Sequence, residues 1–71
     1  MINPRLIRLH VELDAEFLDA RDLLNAQAEW RWLESRAFRD GHMKTFALAK
    51  RLVRSLEGTY TRRFGETRSA A

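Results

Sequence analysis

The segment from Asp14 to Arg39 limits the fold most, because its 26 residues include neither glycine nor proline. Alanine, leucine, glutamate and arginine dominate it, and all four favour helices, so the sequence predicts a helix here. At 100° per residue, one arc of this helix collects the apolar residues that we expect to be buried: Leu13, Phe17, Ala20, Leu24, Ala28 and Phe38. Leu23, Gln27 and Trp30 widen this arc on one side.

Two structures are compatible with residues 7–13. Apolar and polar residues alternate strictly there, as in a strand, but apolar residues also share one helix face from Leu6 to Phe17. Asn3-Pro4 is a helix start signal, so we favour a helix, which would make the first helix about 35 residues long. As a strand, residues 7–24 would resemble the start of a ribbon–helix–helix repressor, a family whose paired strands read the major groove of DNA.

Asp40-Gly41 is predicted to end the first helix, since glycine is the usual residue just after a helix. A second helix is expected from Met43 to Glu57, with an apolar face and with Gly58 as its stop. That face comprises Phe46, Leu48, Ala49, Leu52, Val53, Leu56 and Tyr60. The predicted fold is therefore all-α: an antiparallel helical hairpin with a long first helix and a shorter second one. We expect one helical domain over residues 1–57 and a basic tail over 58–71 that becomes ordered only against a partner.

A chain of 71 residues without cysteine has few ways to stabilise its fold. A single core of this size rarely supplies more than ~3–5 kcal/mol. His10 and His42 are the only histidines, so we expect no metal site and no cofactor. The sequence therefore predicts that the hairpin completes its core by oligomerisation or by docking on a larger protein.

The expected partner interface comprises Trp30, Trp32, Leu33 and Phe38. The two tryptophans lie 200° apart on a helix, so they cannot share a face. Tryptophan is enriched among the residues that dominate binding energy, which favours an interface at Trp32 and Leu33. The alternative is that Trp32 lies flat on the surface, partly covered by Arg31 or Arg36.

Positive charge is concentrated in the second half of the chain. Residues 1–40 contain six basic and eight acidic residues, whereas residues 41–71 contain seven basic and two acidic ones. The predicted contacts to nucleic acid or to an acidic partner are Lys44, Lys50, Arg51, Arg54, Arg62 and Arg63, with Arg68 as a further cation of the tail. The alternative is that these cations pair with the acidic residues of the first helix, which run from Glu12 to Asp22.

The sequence does not favour an enzyme, because no hydroxyl nucleophile adjoins a histidine and no glycine-rich phosphate loop is present. No apolar stretch is long enough to span a bilayer, and the N-terminus lacks a secretory signal. We therefore expect a small non-catalytic protein-interaction subunit without a small-molecule substrate, structural, adaptor or regulatory, of the kind found in phages and mobile elements. It would act in the cytoplasm or in a virion-type assembly. The alternative is a small nucleic-acid-binding protein or transcriptional regulator.

Overall fold

The computed structural model describes residues 3–65 and folds them into three helices. These are α1 (Pro4–Ala15), α2 (Ala20–Asp40) and α3 (Met43–Phe64). The prediction of an all-helical chain is confirmed for this part of the molecule. Residues 7–13 belong to α1, so the strand alternative is wrong, and the resemblance to a ribbon–helix–helix repressor ends with it.

The long first helix is also wrong, because the chain turns between Ala15 and Ala20. Asp19 adopts an extended conformation there, and its side chain accepts a hydrogen bond of 2.8 Å from the Asp22 N–H. An aspartate in this role satisfies one of the free N–H groups at a helix start, and such a cap is worth about 1 kcal/mol. The cap therefore starts a new helix where the sequence has neither glycine nor proline to mark a break.

α3 is the central helix, and both α1 and α2 pack against it. The Gly41-His42 link reverses the chain, and Gly41 adopts the left-handed conformation (φ 77°) that glycine tolerates best. α1 runs parallel to α3, because its start lies beside Lys44, its middle accepts a hydrogen bond of 2.8 Å from Ser55 to Glu12, and its end contacts Arg63. The two-helix architecture predicted from the sequence is thus replaced by three helices, and α1 has few contacts with α2.

The buried face of α3 agrees with the prediction. Ala49, Leu52, Val53 and Leu56 are all buried. At the end of the molecule where the three helices meet, Ala15, Leu23 and Leu56 form one buried cluster. The half-buried residues that pack against this cluster are Val11, Leu18, Ala26, Trp30 and Tyr60.

Only one side of the predicted face of α2 is buried. Leu23 and Gln27, which widen the predicted arc, are buried together with Ala37. The centre of the arc, Leu24, Ala28 and Phe38, is exposed instead. The buried face is therefore rotated about the helix axis towards the Leu23 side. The reason is the turn before Ala20, which releases α2 from the phase of the apolar residues in α1.

Gly58 does not end α3, which continues to Phe64. The first part of the predicted tail is therefore helical, while residues 66–71, including Arg68, lie outside the described part of the chain. A glycine inside a helix costs about 1 kcal/mol relative to alanine. The contacts of Tyr60 with the buried cluster, and those of Arg63 with the end of α1, offset this cost.

Candidate interaction surfaces

α1 carries an apolar row on the side that faces away from the core. We call this the outer row, and it consists of Leu6, Leu9, Leu13 and Phe17. The three leucines are 52–53% exposed, and Phe17, in the turn that follows, is 84% exposed. The opposite side of α1 is half-buried at Ile7 and Val11 and fully buried at Ala15. α1 is thus apolar on two sides, and only one of them is used by the fold.

Charge is distributed along α1 against the dipole of the helix. Arg5 and Arg8 lie near its N-terminus, whereas Glu12, Asp14 and Glu16 lie near its C-terminus. The N-terminus of a helix carries a positive partial charge and the C-terminus a negative one, so this arrangement destabilises an isolated helix. Among residues 3–65, Arg5 has no carboxylate within 4 Å and Asp14 has no cation.

The predicted tryptophan interface is only partly assembled. Trp30, Trp32 and Leu33, together with Glu29, line an open cleft of about 420 Å³ on α2. Trp32 is 61% exposed, and the guanidinium of Arg36 lies 5.6 Å from the centre of its ring. Phe38 does not line this cleft, and its ring packs on that of Phe46 at 5.3 Å. Arg36 thus lies near the ring of Trp32, as in the alternative considered from the sequence, and Phe38 is separate from the tryptophans.

The predicted basic residues of α3 all lie on its exposed side. They are Lys44, Lys50, Arg51 and Arg54. The parallel packing of α1 against α3 brings Arg5 and Arg8 close to these cations. Both arginines line one cleft of about 310 Å³ together with two of the α3 cations. The full lining is Pro4, Arg5, Arg8, Lys44, Ala47, Leu48 and Arg51, with no carboxylate. Sequence reasoning missed Arg5 and Arg8, since only the packing of α1 against α3 brings these distant segments together.

Arg62 and Arg63 do not line this cleft, and both have partners within the chain, so their contact with an external partner stays a prediction. Arg62 forms an ion pair with Glu16, which is the alternative that the acidic residues of the first helix suggested. Arg63 donates from Nη1 to the backbone carbonyl of Ala15 and, at 2.6 Å, to that of Leu18. Both arginines therefore hold the end of α1 against α3.

Within residues 3–65, no group of three or more histidine, aspartate or glutamate side chains is placed to hold a metal ion. No helix in this part of the chain is long and apolar enough to cross a membrane. The surfaces left to consider in this part of the chain are thus the outer row, the tryptophan cleft and the basic residues of α3. Comparison of the chain with protein-family models, with curated proteins and with solved structures finds no match.

Proposed function

We propose that this protein is a small non-catalytic assembly subunit that pairs with a second copy of itself through the outer row of α1. The observation that carries the proposal is the exposure of Leu6, Leu9 and Leu13 on a helix whose other side is already packed. Apolar residues at three- and four-residue intervals form the contact seam between paired helices. Isolated apolar residues are common on protein surfaces, whereas a continuous row marks an interaction site.

The charges of α1 favour a second copy in the antiparallel direction. In that arrangement the basic N-terminal half of one copy lies beside the acidic C-terminal half of the other. With Leu9 opposite Leu13, Leu6 and Arg5 lie level with Glu16 and Phe17 of the second copy. Leu6 then meets Phe17 in the seam, and Arg5 lies beside Glu16, whose carboxylate also pairs with Arg62 of its own chain. On a helical projection Arg5 and Glu16 occupy the same flank of the outer row, as antiparallel pairing requires. The second copy would thereby offset the unfavourable charge order of α1.

The proposal is tested by measuring mass against protein concentration, with sedimentation equilibrium or native mass spectrometry. We expect the wild-type protein to reach twice 8.4 kDa as its concentration rises. Leu9→Glu should remain monomeric because it places a carboxylate in the apolar seam. Trp32→Ala is the matched control, since it removes a larger exposed apolar side chain from α2 and should still dimerise.

Two results would contradict the proposal. A wild-type protein that stays monomeric at every concentration has no self-pairing surface, and a larger protein partner would then be the remaining explanation of the outer row. Dimerisation that survives Leu9→Glu but is lost in Trp32→Ala would assign the interface to the tryptophan cleft. Circular dichroism of both variants is needed to show that each still folds.

The antiparallel direction has a separate test. Arg5→Glu should weaken dimerisation about tenfold, because two symmetry-related ion pairs at ~0.5–1 kcal/mol each are replaced by repulsion. Adding Glu16→Arg to the same chain reverses the second charge and should restore most of the affinity, and the single variant Glu16→Arg measures the separate cost of losing the Glu16–Arg62 pair. A double variant as weak as Arg5→Glu alone would argue against this direction of pairing.

The biological setting remains part of the proposal and follows from the sequence alone. We propose a structural, adaptor or regulatory role within a larger assembly, in the cytoplasm or in a virion-type particle. A subunit of this kind contributes a surface and needs no substrate or cofactor of its own.

A further inference from the structure

We propose that the basic side of α3, extended by Arg8 of α1, binds the phosphate backbone of double-stranded nucleic acid. This surface, which we call the basic face, comprises Arg8, Lys44, Lys50, Arg51 and Arg54, of which Arg8 also lies 3.9 Å from the carboxylate of Glu12 in its own helix. Arg5 lines the same cleft, but antiparallel pairing would also use it, so the inference rests on the other five cations. It goes beyond the proposed function and does not depend on it.

The basic face is long, and the exposed residues between its cations have small side chains. Lys44 and Arg54 are ten residues apart, which corresponds to about 15 Å along the helix. Between and beyond the cations, α3 exposes small residues, namely Ala47, Gly58 and Thr61. A phosphate backbone can therefore approach the helix closely and meet several cations in succession.

The cations of α3 are not neutralised within the described chain. No carboxylate lies within 4 Å of Lys44, Lys50, Arg51 or Arg54 in residues 3–65, whereas Arg31 and Arg62 are each paired with a glutamate. Guanidinium and ammonium groups form strong charge-assisted hydrogen bonds to phosphate oxygens. Four cations that the fold leaves without partners are thus available for an external polyanion.

Helix termini add to the positive potential at one end of this surface. Since α1 runs parallel to α3, the N-terminal ends of both helices lie on the same side of the molecule. Neither helix has an acidic residue in its first turn, and the side chain of His42 forms no cap hydrogen bond at the start of α3. The positive partial charges of the two ends therefore reinforce the cations around Arg8 and Lys44.

The absence of a stacking surface favours a duplex over a single strand. Proteins that bind single strands usually stack the bases on exposed aromatic rings. No aromatic residue lines the cleft between α1 and α3. The ring of Phe46, which lies 5.8 Å from the Lys50 ammonium, is half-buried. The surface therefore suits a backbone whose bases stay paired.

The test is fluorescence anisotropy of the full chain with a labelled DNA duplex of mixed sequence, over a range of salt concentrations. With phosphate contacts from the four unpaired cations of α3, the slope of log K against log salt should be about −3.6, and a fifth contact from Arg8 would bring it to about −4.5. The variant Lys50→Gln/Arg54→Gln should make this slope shallower by about 2. The control Arg21→Gln/Arg39→Gln removes the same net charge from exposed positions on α2 and should leave the slope unchanged.

Each of several results would overturn the inference. No binding at low salt would exclude a nucleic-acid surface, and an equal loss of slope in both double variants would show a general effect of net charge. A single strand of the same length that binds as tightly as the duplex would contradict the backbone geometry. Polyglutamate that displaces the duplex as well as unlabelled DNA does would assign the basic face to acidic polypeptides instead.

Discussion

Arg63 should contribute more to stability than any other charged side chain of α3, because its guanidinium joins three elements. Its Nη1 donates to the carbonyls of Ala15 and Leu18, where α1 ends and the turn to α2 follows. The last carbonyls of a helix have no partner within the helix. Replacing Arg63 by methionine keeps most of the aliphatic stem but leaves both carbonyls without this donor.

The expected loss follows from these two hydrogen bonds. A hydrogen bond to a charged group contributes about 1.5–3 kcal/mol. Both acceptors share one nitrogen, and Arg63 is only half-buried, so we expect a total of about 2–3 kcal/mol for Arg63→Met. A core of this size supplies ~3–5 kcal/mol, which means that the variant would lose about half of its free energy of unfolding.

Urea unfolding followed by circular dichroism measures this loss directly. The neighbouring Arg62→Met is the matched control, since its ion pair with Glu16 is exposed and such pairs contribute ~0–1 kcal/mol. We expect the midpoint of unfolding to fall clearly in Arg63→Met and little in Arg62→Met. If the two variants lose the same small amount, Arg63 does not stabilise the end of α1 and our account of this contact is wrong.

Three other substitutions test the backbone and the core through the same unfolding measurement. Gly58→Ala should raise the free energy of unfolding by about 0.5–1 kcal/mol, because alanine favours the helix and its added Cβ meets no atom within 4 Å. An unchanged free energy of unfolding would contradict this prediction. Gly41→Ala has equal space but a φ of +77°, so it should lower stability by about 1 kcal/mol, and a neutral result would argue against the left-handed turn. Gln27→Leu should stabilise the fold by about 1–3 kcal/mol, since the buried Gln27 Nε2 has no hydrogen-bond partner among residues 3–65. A loss of stability would show that this amide group does form hydrogen bonds in the folded protein.

The sequence predicted α3 well because its buried face is chemically uniform. Ala49, Leu52, Val53 and Leu56 are all apolar, and their spacing alone identifies the face. The prediction that the helix ends at Gly58 was wrong, because tertiary contacts outweigh the cost of about 1 kcal/mol that glycine adds inside a helix. Those contacts join residues more than 40 positions apart, which no local pattern reveals.

α2 was predicted less well because its two sides resemble each other in polarity. The buried side includes Gln27, while the exposed side includes Leu24 and Phe38, so periodicity alone centres the face on exposed residues and leaves the buried Leu23 and Gln27 at its edge. The available signal was Asp19, an N-cap residue three positions before Asp22, which marks a helix start without glycine or proline. The cleft shared by Arg5 and Lys44 gave no sequence signal, because it depends on the parallel packing of α1 and α3.

The uneven attachment of the helices also sets the order in which they form and open. α2 and α3 are joined by a two-residue link. By contrast, the residues through which α1 contacts α3 are far apart in the sequence: Glu12 and Ser55 are separated by 43 positions, and Ala15 and Arg63 by 48. Local contacts form fast and distant ones slowly, so α1 should be the last element to dock during folding. The same helix should be the first to detach from the native state. The amide protons of α1 should accordingly exchange with solvent before those of Leu52 and Leu56. Pulse-labelling with deuterium during refolding would show whether α1 is the last helix to become protected.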